Sequence, residues 1–464
     1  MAMKDLIQSG YDAATKRLNL ACGLTQFPLE LLELADSLEI LDLSNNQLSS
    51  LPHEFSQLRR LKVVFLSNNQ FRAVPEVLSQ CPNLSMIGFK ANQIKHLPEH
   101  ALPPQVRWLI LTDNRLEKLP ATIGNQSRLQ KLMLAGNQLQ TLPDEMANCR
   151  NLELIRLSAN QLKELPTWLF DLPRLSWLAY AGNPFCVSKT LVEPSLPDID
   201  WTDLVLQETL GQGASGVISR GLWQTAPNQQ QTVAVKIFKG EITSDGLPRD
   251  EMQACIAAGS HKNLVSVLGK ITHHPEGKTG LVFSLVPSEY KVLGTTPSLE
   301  SCTRDVYDPS TSFSWANVLQ IAQGMAAVTT HLHGRGILHG DLYAHNILVN
   351  EAGESLLGDF GAASFYDPND SAVGQALERM EVRAFGCLLE DLLEHCSLKD
   401  QSAAAEPGQK AAFDRLRDLQ VACMHPNLAL RPRFPEICAT LTDLSETSLS
   451  EGSAYSFHKS QSAI

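Results

Sequence analysis

Between Ile40 and Phe185 the chain repeats itself, and that repeat constrains the fold more than any other feature of its 464 residues. Six stretches align: LEILDLSNNQLSSLP, LKVVFLSNNQFRAVP, LSMIGFKANQIKHLP, VRWLILTDNRLEKLP, LQKLMLAGNQLQTLP and LELIRLSANQLKELP. An asparagine recurs at Asn46, Asn69, Asn92, Asn114, Asn137, Asn160 and Asn183, in steps of 23, 23, 22, 23, 23 and 23. A unit of this length cannot bury its own apolar face, so units must stack into a solenoid. Within the L-x-L run, side chains alternate between two faces, which sends the leucines into the core and the residues between them outward. The asparagine amide bonds backbone groups of the tight turn that follows, unit after unit. A degenerate opening unit, RLNLACGLTQFP, has Cys22 at the asparagine place, and LSWLAYAGNPF closes the series, giving about eight units of 22–24 residues.

The pattern L-x-x-L-x-L-x-x-N-x-L resembles the leucine-rich repeat, and the L-P endings resemble its intracellular Ras-suppressor type. The resemblance implies an α/β leucine-rich repeat solenoid over residues 1–186. The positions between core leucines project onto the concave face and include Ile40, Val63, Phe65, Met86, Trp108, Ile110, Met133, Leu154 and Trp177 among Asp42, Lys90, Lys131 and Arg156. Aromatic and Met side chains gathered on a surface mark protein-binding sites. Phe65, Met86, Trp108, Met133 and Trp177 are therefore the expected contacts to a protein substrate or regulator. The alternative is that they pack on one another or against a second domain.

A new pattern follows after a bridge of about 15 residues, VSKTLVEPSLPDIDW. ETLGQGASGVISRG is a G-x-G-x-x-G-x-V stretch, and QTVAVKIF places a lysine, Lys236, in an alternating apolar run. PRDEMQACIAAGSHKNLV offers Glu251 on a helix, with Asp250 as its fallback, and TGLVFSLVPSEY reads as a buried strand with an extended end. ILHGDLYAHNILV follows, with Asp341 lying 105 residues after Lys236, and LLGDFGAAS places Asp359 18 residues after Asp341.

Four motifs in this order resemble the protein kinase superfamily over residues 203–445. The resemblance implies an α+β two-lobed protein kinase-like fold, a linker over 187–202 and a flexible Ser-rich tail over 446–464. It implies ATP bound by Gly211, Gly213 and Gly216, with Leu210, Val217 and Ala234 against the base and Ser284 and Val286 in the hinge. Lys236, held by Glu251, would pair with phosphates, and Asp341 would orient or deprotonate a substrate hydroxyl. Asn346 and Asp359 would hold Mg²⁺, a hard cation that prefers oxygen ligands.

Three departures stand out. Gly340 replaces the arginine that pairs with a phosphorylated activation loop in many kinases. Tyr343 replaces the lysine of serine/threonine kinases, and His345 stands where tyrosine kinases have arginine. Only 19 residues separate Gly361 from Glu381, which takes the place of the customary aspartate in a central helix, and no A-P-E motif lies between them. ALE, residues 376–378, is its nearest relic, and Arg431 is the usual partner of such a glutamate. Ser364, Tyr366 and Ser371 are the acceptors for phosphate in this segment.

A formal net charge of -12 argues against nucleic acid as a partner. No run reaches the ~18 apolar residues of a membrane span, and the N-terminus lacks a signal-peptide core. The ten cysteines lack C-x-x-C spacing, which points to reduced thiols and a cytoplasmic location. Three functions fit: an ATP-dependent protein kinase, serine/threonine rather than tyrosine, whose repeats recruit a partner; a pseudokinase scaffold; and a small-molecule kinase, which shares H-G-D-x-x-x-x-N.

Overall fold

The computed structural model of the chain describes residues 3–186, 196–240, 242–369, 372–398 and 407–459. The chain divides into two compact units, one of residues 1–187 with 241–247 and one of 188–240 with 248–464.

The first unit opens with helix α1 (Met3–Gly10) and strand β1 (Tyr11–Asp12). Eight strands of three residues follow: β2 (Arg17–Asn19), β3 (Ile40–Asp42), β4 (Val63–Phe65), β5 (Met86–Gly88), β6 (Trp108–Ile110), β7 (Lys131–Met133), β8 (Leu154–Arg156) and β9 (Trp177–Ala179). β2 to β9 pair in parallel, one per expected unit, and β1 adds antiparallel to β2, an edge the repeats did not announce. The asparagines do what the turn demands. Asn69 donates to the carbonyls of Leu43 (2.9 Å) and Leu66 (3.2 Å) and accepts the Leu48 N–H at 2.8 Å. Asn114, Asn137 and Asn160 repeat the pattern, so each turn is tied to the unit before it.

The outer side of the repeats is made of short 3₁₀ helices rather than α-helices. Pro52, Pro75, Pro120, Pro143 and Pro166 stand just before five of them, where a residue without an N–H costs nothing. The 22-residue step between Asn92 and Asn114 turns without a helix, its shorter arc carrying Pro103 and Pro104.

The second unit is built on a sheet of order β10-β14-β15-β13-β12-β11, comprising β10 (Asp198–Asp200), β11 (Leu204–Gln212), β12 (Gly216–Ala226), β13 (Gln229–Phe238), β14 (Val267–Thr272) and β15 (Gly280–Ser284). Ile199, Leu204, Val233, Val235, Ile271 and Val282 form its core. The stretch expected to be linker is thus partly sheet: Asp198–Asp200 pairs in parallel with Lys270–Thr272, because Ile199 alternates with two polar residues and so has one face to bury. Residues 187–195 of that stretch lie outside the described residues.

α2 (Pro248–Ala258), α3 (Trp315–His333), α4 (Val373–Glu394), α5 (Pro407–Cys423) and α6 (Phe434–Lys459) are the remaining helices. Short strands β16 (Lys291–Val292), β18 (Ile347–Val349) and β19 (Ser355–Leu357) form one ribbon, and β17 (Ile337–Leu338) pairs with β20 (Ser364–Phe365). Ser314 caps α3 by accepting the Asn317 N–H. α6 continues through much of the stretch expected to be a flexible tail, since its early turns carry Ile437, Leu441 and Leu444 at helical spacing, all buried.

Candidate active site

β11 and β12 are joined at the glycine stretch, where Gly213 N–H donates to Gly216 O at 3.0 Å. The three glycines are there for different reasons. A Cβ on Gly216 would lie 2.6 Å from the Ile237 carbonyl oxygen, so close packing of β12 on β13 excludes any side chain. Nothing lies within 4 Å of a Cβ on Gly211 or Gly213. That open space is the approach a phosphate needs, and it is not explained by packing.

Below this loop lies a cavity of about 770 Å³ lined by Leu210, Ala234, Lys236, Ser284, Val286 and Asn346, among others. Ile218 lines it too, and here the sequence reading needs correcting. Ile218 is directly opposite Lys236 across β12 and β13, so the two share a face, whereas Val217 opposes Ile237 and points to the other side. The apolar contact expected of Val217 belongs to Ile218.

Lys236 pairs with Glu251 of α2, and Glu251 is 2% exposed. Burial, the largest influence on the Lys236 ammonium, pulls its pKa down, but the Glu251 and Asp359 carboxylates outweigh it and leave it above its ordinary value. The lysine is therefore charged. Asp250, the fallback, bonds Arg249 instead.

On the opposite wall, Asn346 Nδ2 donates to the Asp341 carbonyl at 2.9 Å and to Asp341 Oδ2 at 2.8 Å. This turns the amide oxygen outward as an acceptor. Asp359 has φ 50°, unusual for a residue with a side chain, and its Oδ1 accepts the Gly361 N–H at 3.0 Å. His339 bonds the Gly358 carbonyl at 3.0 Å and lies 5.2 Å from the Phe360 ring, tying the two loops together. Glu381 of α4 is 1% exposed and holds the catalytic loop from below, accepting from Gly340 N–H at 2.6 Å and His333 Nε2 at 2.7 Å.

His345 has a partner the sequence did not disclose. Its Nδ1 is 2.7 Å from Asp305 Oδ1, and its N–H donates to Asp305 Oδ2 at 3.2 Å. Burial works to lower the His345 pKa, but Asp305, with help from Asp341 and Asp359, raises it above the ordinary imidazole value. A free imidazole, with a pKa near 6.5, would be mostly neutral at pH 7. Asp305 sits 40 residues upstream in irregular chain, where no spacing marks it.

In the short segment after Gly361, Ser364 is fully buried. The Tyr366 hydroxyl is 3.2 Å from both the His333 carbonyl and Glu378 Oε1. Ser371 lies outside the described residues. Ala376–Glu378 belongs to α4 rather than to a loop, and Glu378 accepts from Arg433 Nη2 at 3.0 Å. Arg431 donates to the His425 and Arg379 carbonyls.

A divalent cation fits these residues. Asp359 and Asn346 present oxygen donors of the kind Mg²⁺ takes, few enough that phosphate and water oxygens must complete the shell. Among the described residues no group of three or more His, Cys, Asp or Glu could hold a metal by itself.

The expected partner contacts are divided. Phe65 and Trp108 are half-buried, and Lys131 Nζ lies over the Trp108 ring at 4.1 Å. Met86, Met133 and Trp177 are 5%, 6% and 1% exposed, so they do not stand open to a partner. The residues of β7, β8 and β9 pair directly, Lys131 with Leu154 and Leu154 with Trp177, and neighbouring side chains on one face crowd each other. No described helix is long and apolar enough to cross a membrane.

Comparison with known proteins agrees with this geometry. Residues 204–387 match the protein tyrosine and serine/threonine kinase family, and residues 36–80, 104–162 and 127–185 match leucine-rich repeat families. Fibroblast growth factor receptor 1 of Pleurodeles waltl is 28% identical over 205 residues, covering 41% of this chain and 25% of that protein. Probable serine/threonine-protein kinase drkC of Dictyostelium discoideum is 30% identical over 181 residues, covering 38% of this chain and 22% of its own. The chain thus spans about a quarter of the length of the curated relatives it matches. A solved leucine-rich repeat protein of Leptospira interrogans is 26% identical with a TM-score of 0.35, covering 39% of this chain and 52% of that one. The chain carries leucine-rich repeats followed by a protein kinase domain.

Proposed function

We propose that the chain is an active ATP-dependent protein kinase, with serine or threonine as acceptor and the repeats recruiting a protein substrate or regulator. The observation that carries this reading is the arrangement around one cavity of a charged Lys236 paired with Glu251, of Asp359, and of Asn346, whose amide is bonded to Asp341. These groups position and neutralise phosphate, which is most of what phosphoryl transfer asks of a protein.

Lys236 would hold the α- and β-phosphates of ATP while the glycine stretch closes over them by backbone. Asp341, its carboxylate fixed by the Asn346 amide, would take the proton of the acceptor hydroxyl as that oxygen bonds to the γ-phosphorus and the bond to the bridging oxygen breaks, releasing ADP. Mg²⁺, when bound at Asn346 and Asp359, would neutralise charge on the phosphates. His345, oriented by Asp305, would stand near the place left by the missing lysine, and Asp305 favours its protonated form. Serine or threonine as acceptor is supported by the kinship with drkC. All ten cysteines are free thiols, which supports a reducing, cytoplasmic location.

The test is transfer of labelled phosphate from ATP with Mg²⁺, comparing wild type with Asp341→Ala and Asp359→Ala. Protein-bound phosphoserine or phosphothreonine, lost in both variants, is expected. Nucleotide binding without transfer would replace the reading with a scaffold, and transfer to a small molecule alone would replace it with a small-molecule kinase.

A further inference from the structure

Arg156 stands at the end of β8 among the residues of the concave face, yet it is 2% exposed. Its Nε donates to Asp245 Oδ1 at 2.6 Å. Asp245 belongs to the stretch Ile242–Leu247, the connection from β13 to α2, which groups with the repeats in the first unit. This stretch is a tight turn. Thr243 N–H donates to the Gly246 carbonyl at 2.9 Å, and Thr243 Oγ1 accepts the N–H groups of Asp245 and Gly246 at 3.1 Å. Ser244 Oγ donates to Asp245 Oδ2 at 2.7 Å, so both carboxylate oxygens are engaged.

Ile242 enters where Gly136 leaves room. A Cβ on Gly136 would lie 2.8 Å from Ile242 Cδ1, and Gly136 has φ 70°, a conformation that already favours glycine. Burial works to raise the Asp245 pKa, but Arg156, Ser244 and Lys131 overcome it and hold the group ionised. The Arg156 side chain is withdrawn from water while that of Asp245 is 27% exposed, so it is the buried guanidinium that needs matching. Stacking of the repeats does not ask for Arg156 at all, since its position is one the core leaves unconstrained. The acidic turn is one of the groups that hold it.

We propose that Gly136, Lys131 and Arg156 form a receptor for an acidic turn, one that carries an aliphatic residue three positions before an aspartate. Ile242–Gly246 is its occupant within the chain, standing where the same turn of a partner protein binds. This deepens the reading of the repeats as a recruiting surface by giving the partner's chemistry. It also ties recruitment to the site, because the occupant runs directly into α2, the helix that carries Glu251. A partner that takes the receptor releases the start of that helix.

The full-length chain and a fluorescent synthetic peptide of residues 240–248 test the proposal by anisotropy. Asp245→Asn weakens the internal occupant without touching the receptor. The peptide is expected to bind this variant at least tenfold more tightly than wild type, and the same peptide with Asp245→Asn is expected to bind neither. Amide hydrogen exchange over residues 242–247 is expected to quicken in the variant. Equal binding to both chains, binding to neither, or unchanged exchange overturns the proposal. Neither readout needs phosphoryl transfer, so failure of the kinase reading would leave a separate signature.

Discussion

Replacing Glu381 by Gln keeps the size of a side chain that is 1% exposed and removes its charge. The carboxylate accepts from Gly340 N–H at 2.6 Å, from His333 Nε2 at 2.7 Å and, at greater length, from His339 N–H at 3.3 Å. The amide has one oxygen, so its NH₂ group must face at least one of these donors. A hydrogen bond to a charged group contributes ~1.5–3 kcal/mol, and an orphaned buried donor costs a further ~1–3 kcal/mol. The variant should lose about 3 kcal/mol, the low end of the range for breaking a buried charged network. For a domain of this size that is a fall of roughly 6–12 °C in Tm. Burial alone would raise the Glu381 pKa, but His333, His339 and the Gly340 amide outweigh it and hold it below the usual carboxylate value. A carboxylate depressed in the folded state stabilises the fold above its unfolded pKa of about 4.3, and that contribution is lost as pH falls through the folded value. The gap in Tm between wild type and Glu381→Gln should therefore be full near neutrality and narrow once the pH drops below about 4. Thermal melts of the kinase transition, followed by circular dichroism across acidic and neutral pH, measure it. A variant that melts within about 2 °C of wild type at pH 7, or a gap that stays constant into acid, would refute the reasoning.

Two further tests separate packing from chemistry. Gly216→Ala should destabilise by ~1–3 kcal/mol through the clash with the Ile237 carbonyl, while Gly213→Ala should leave stability within ~0.5 kcal/mol and instead shrink the rise in Tm that ATP produces. Equal behaviour of the two would contradict the space found at each. Asp305→Asn should lower kcat about tenfold, or ~1.4 kcal/mol of barrier, with little change in KM for ATP. A rise in KM at constant kcat would place the pair in ground-state binding.

The repeats were legible because one physical demand recurs in every unit. Each turn needs an amide that donates to carbonyls of its own and the preceding unit and accepts an N–H from the preceding one, and the 23-residue spacing of asparagine records that demand directly. The residues proposed to hold nucleotide and metal were legible for a related reason: glycine, lysine and aspartate in fixed order leave a linear trace. Val217 was misplaced by one residue because it stands next to the third glycine, whereas the motif's apolar position falls two places after Gly216, on Ile218, the residue that the register with Lys236 turns toward the cavity. Asp305 left no trace, since its work depends on tertiary contact with a loop 40 residues away. The strand at Asp198–Asp200 was lost for want of length, three residues being too few to display a period. The burial of Arg156 was invisible for the same reason as Asp305: an outward-facing position tells nothing of the later residue, Asp245, that bonds it.

Of the acceptors expected in the segment after Gly361, the two among the described residues are poorly placed for control by phosphate. Gly340 has φ 73°, and a residue with a Cβ there would carry ~1–2 kcal/mol of strain, so an arginine at this place is not a small change. Ser364 is fully buried, and the Tyr366 hydroxyl already sits against Glu378, where an added phosphate would meet like charge. The pair proposed to handle nucleotide, Lys236 with Glu251, joins strand β13 to helix α2. The chain between those two elements is the stretch that carries Asp245. The proposed receptor would give regulation a route through the connection from β13 to α2, with Arg156 bonded to the Asp245 of that stretch.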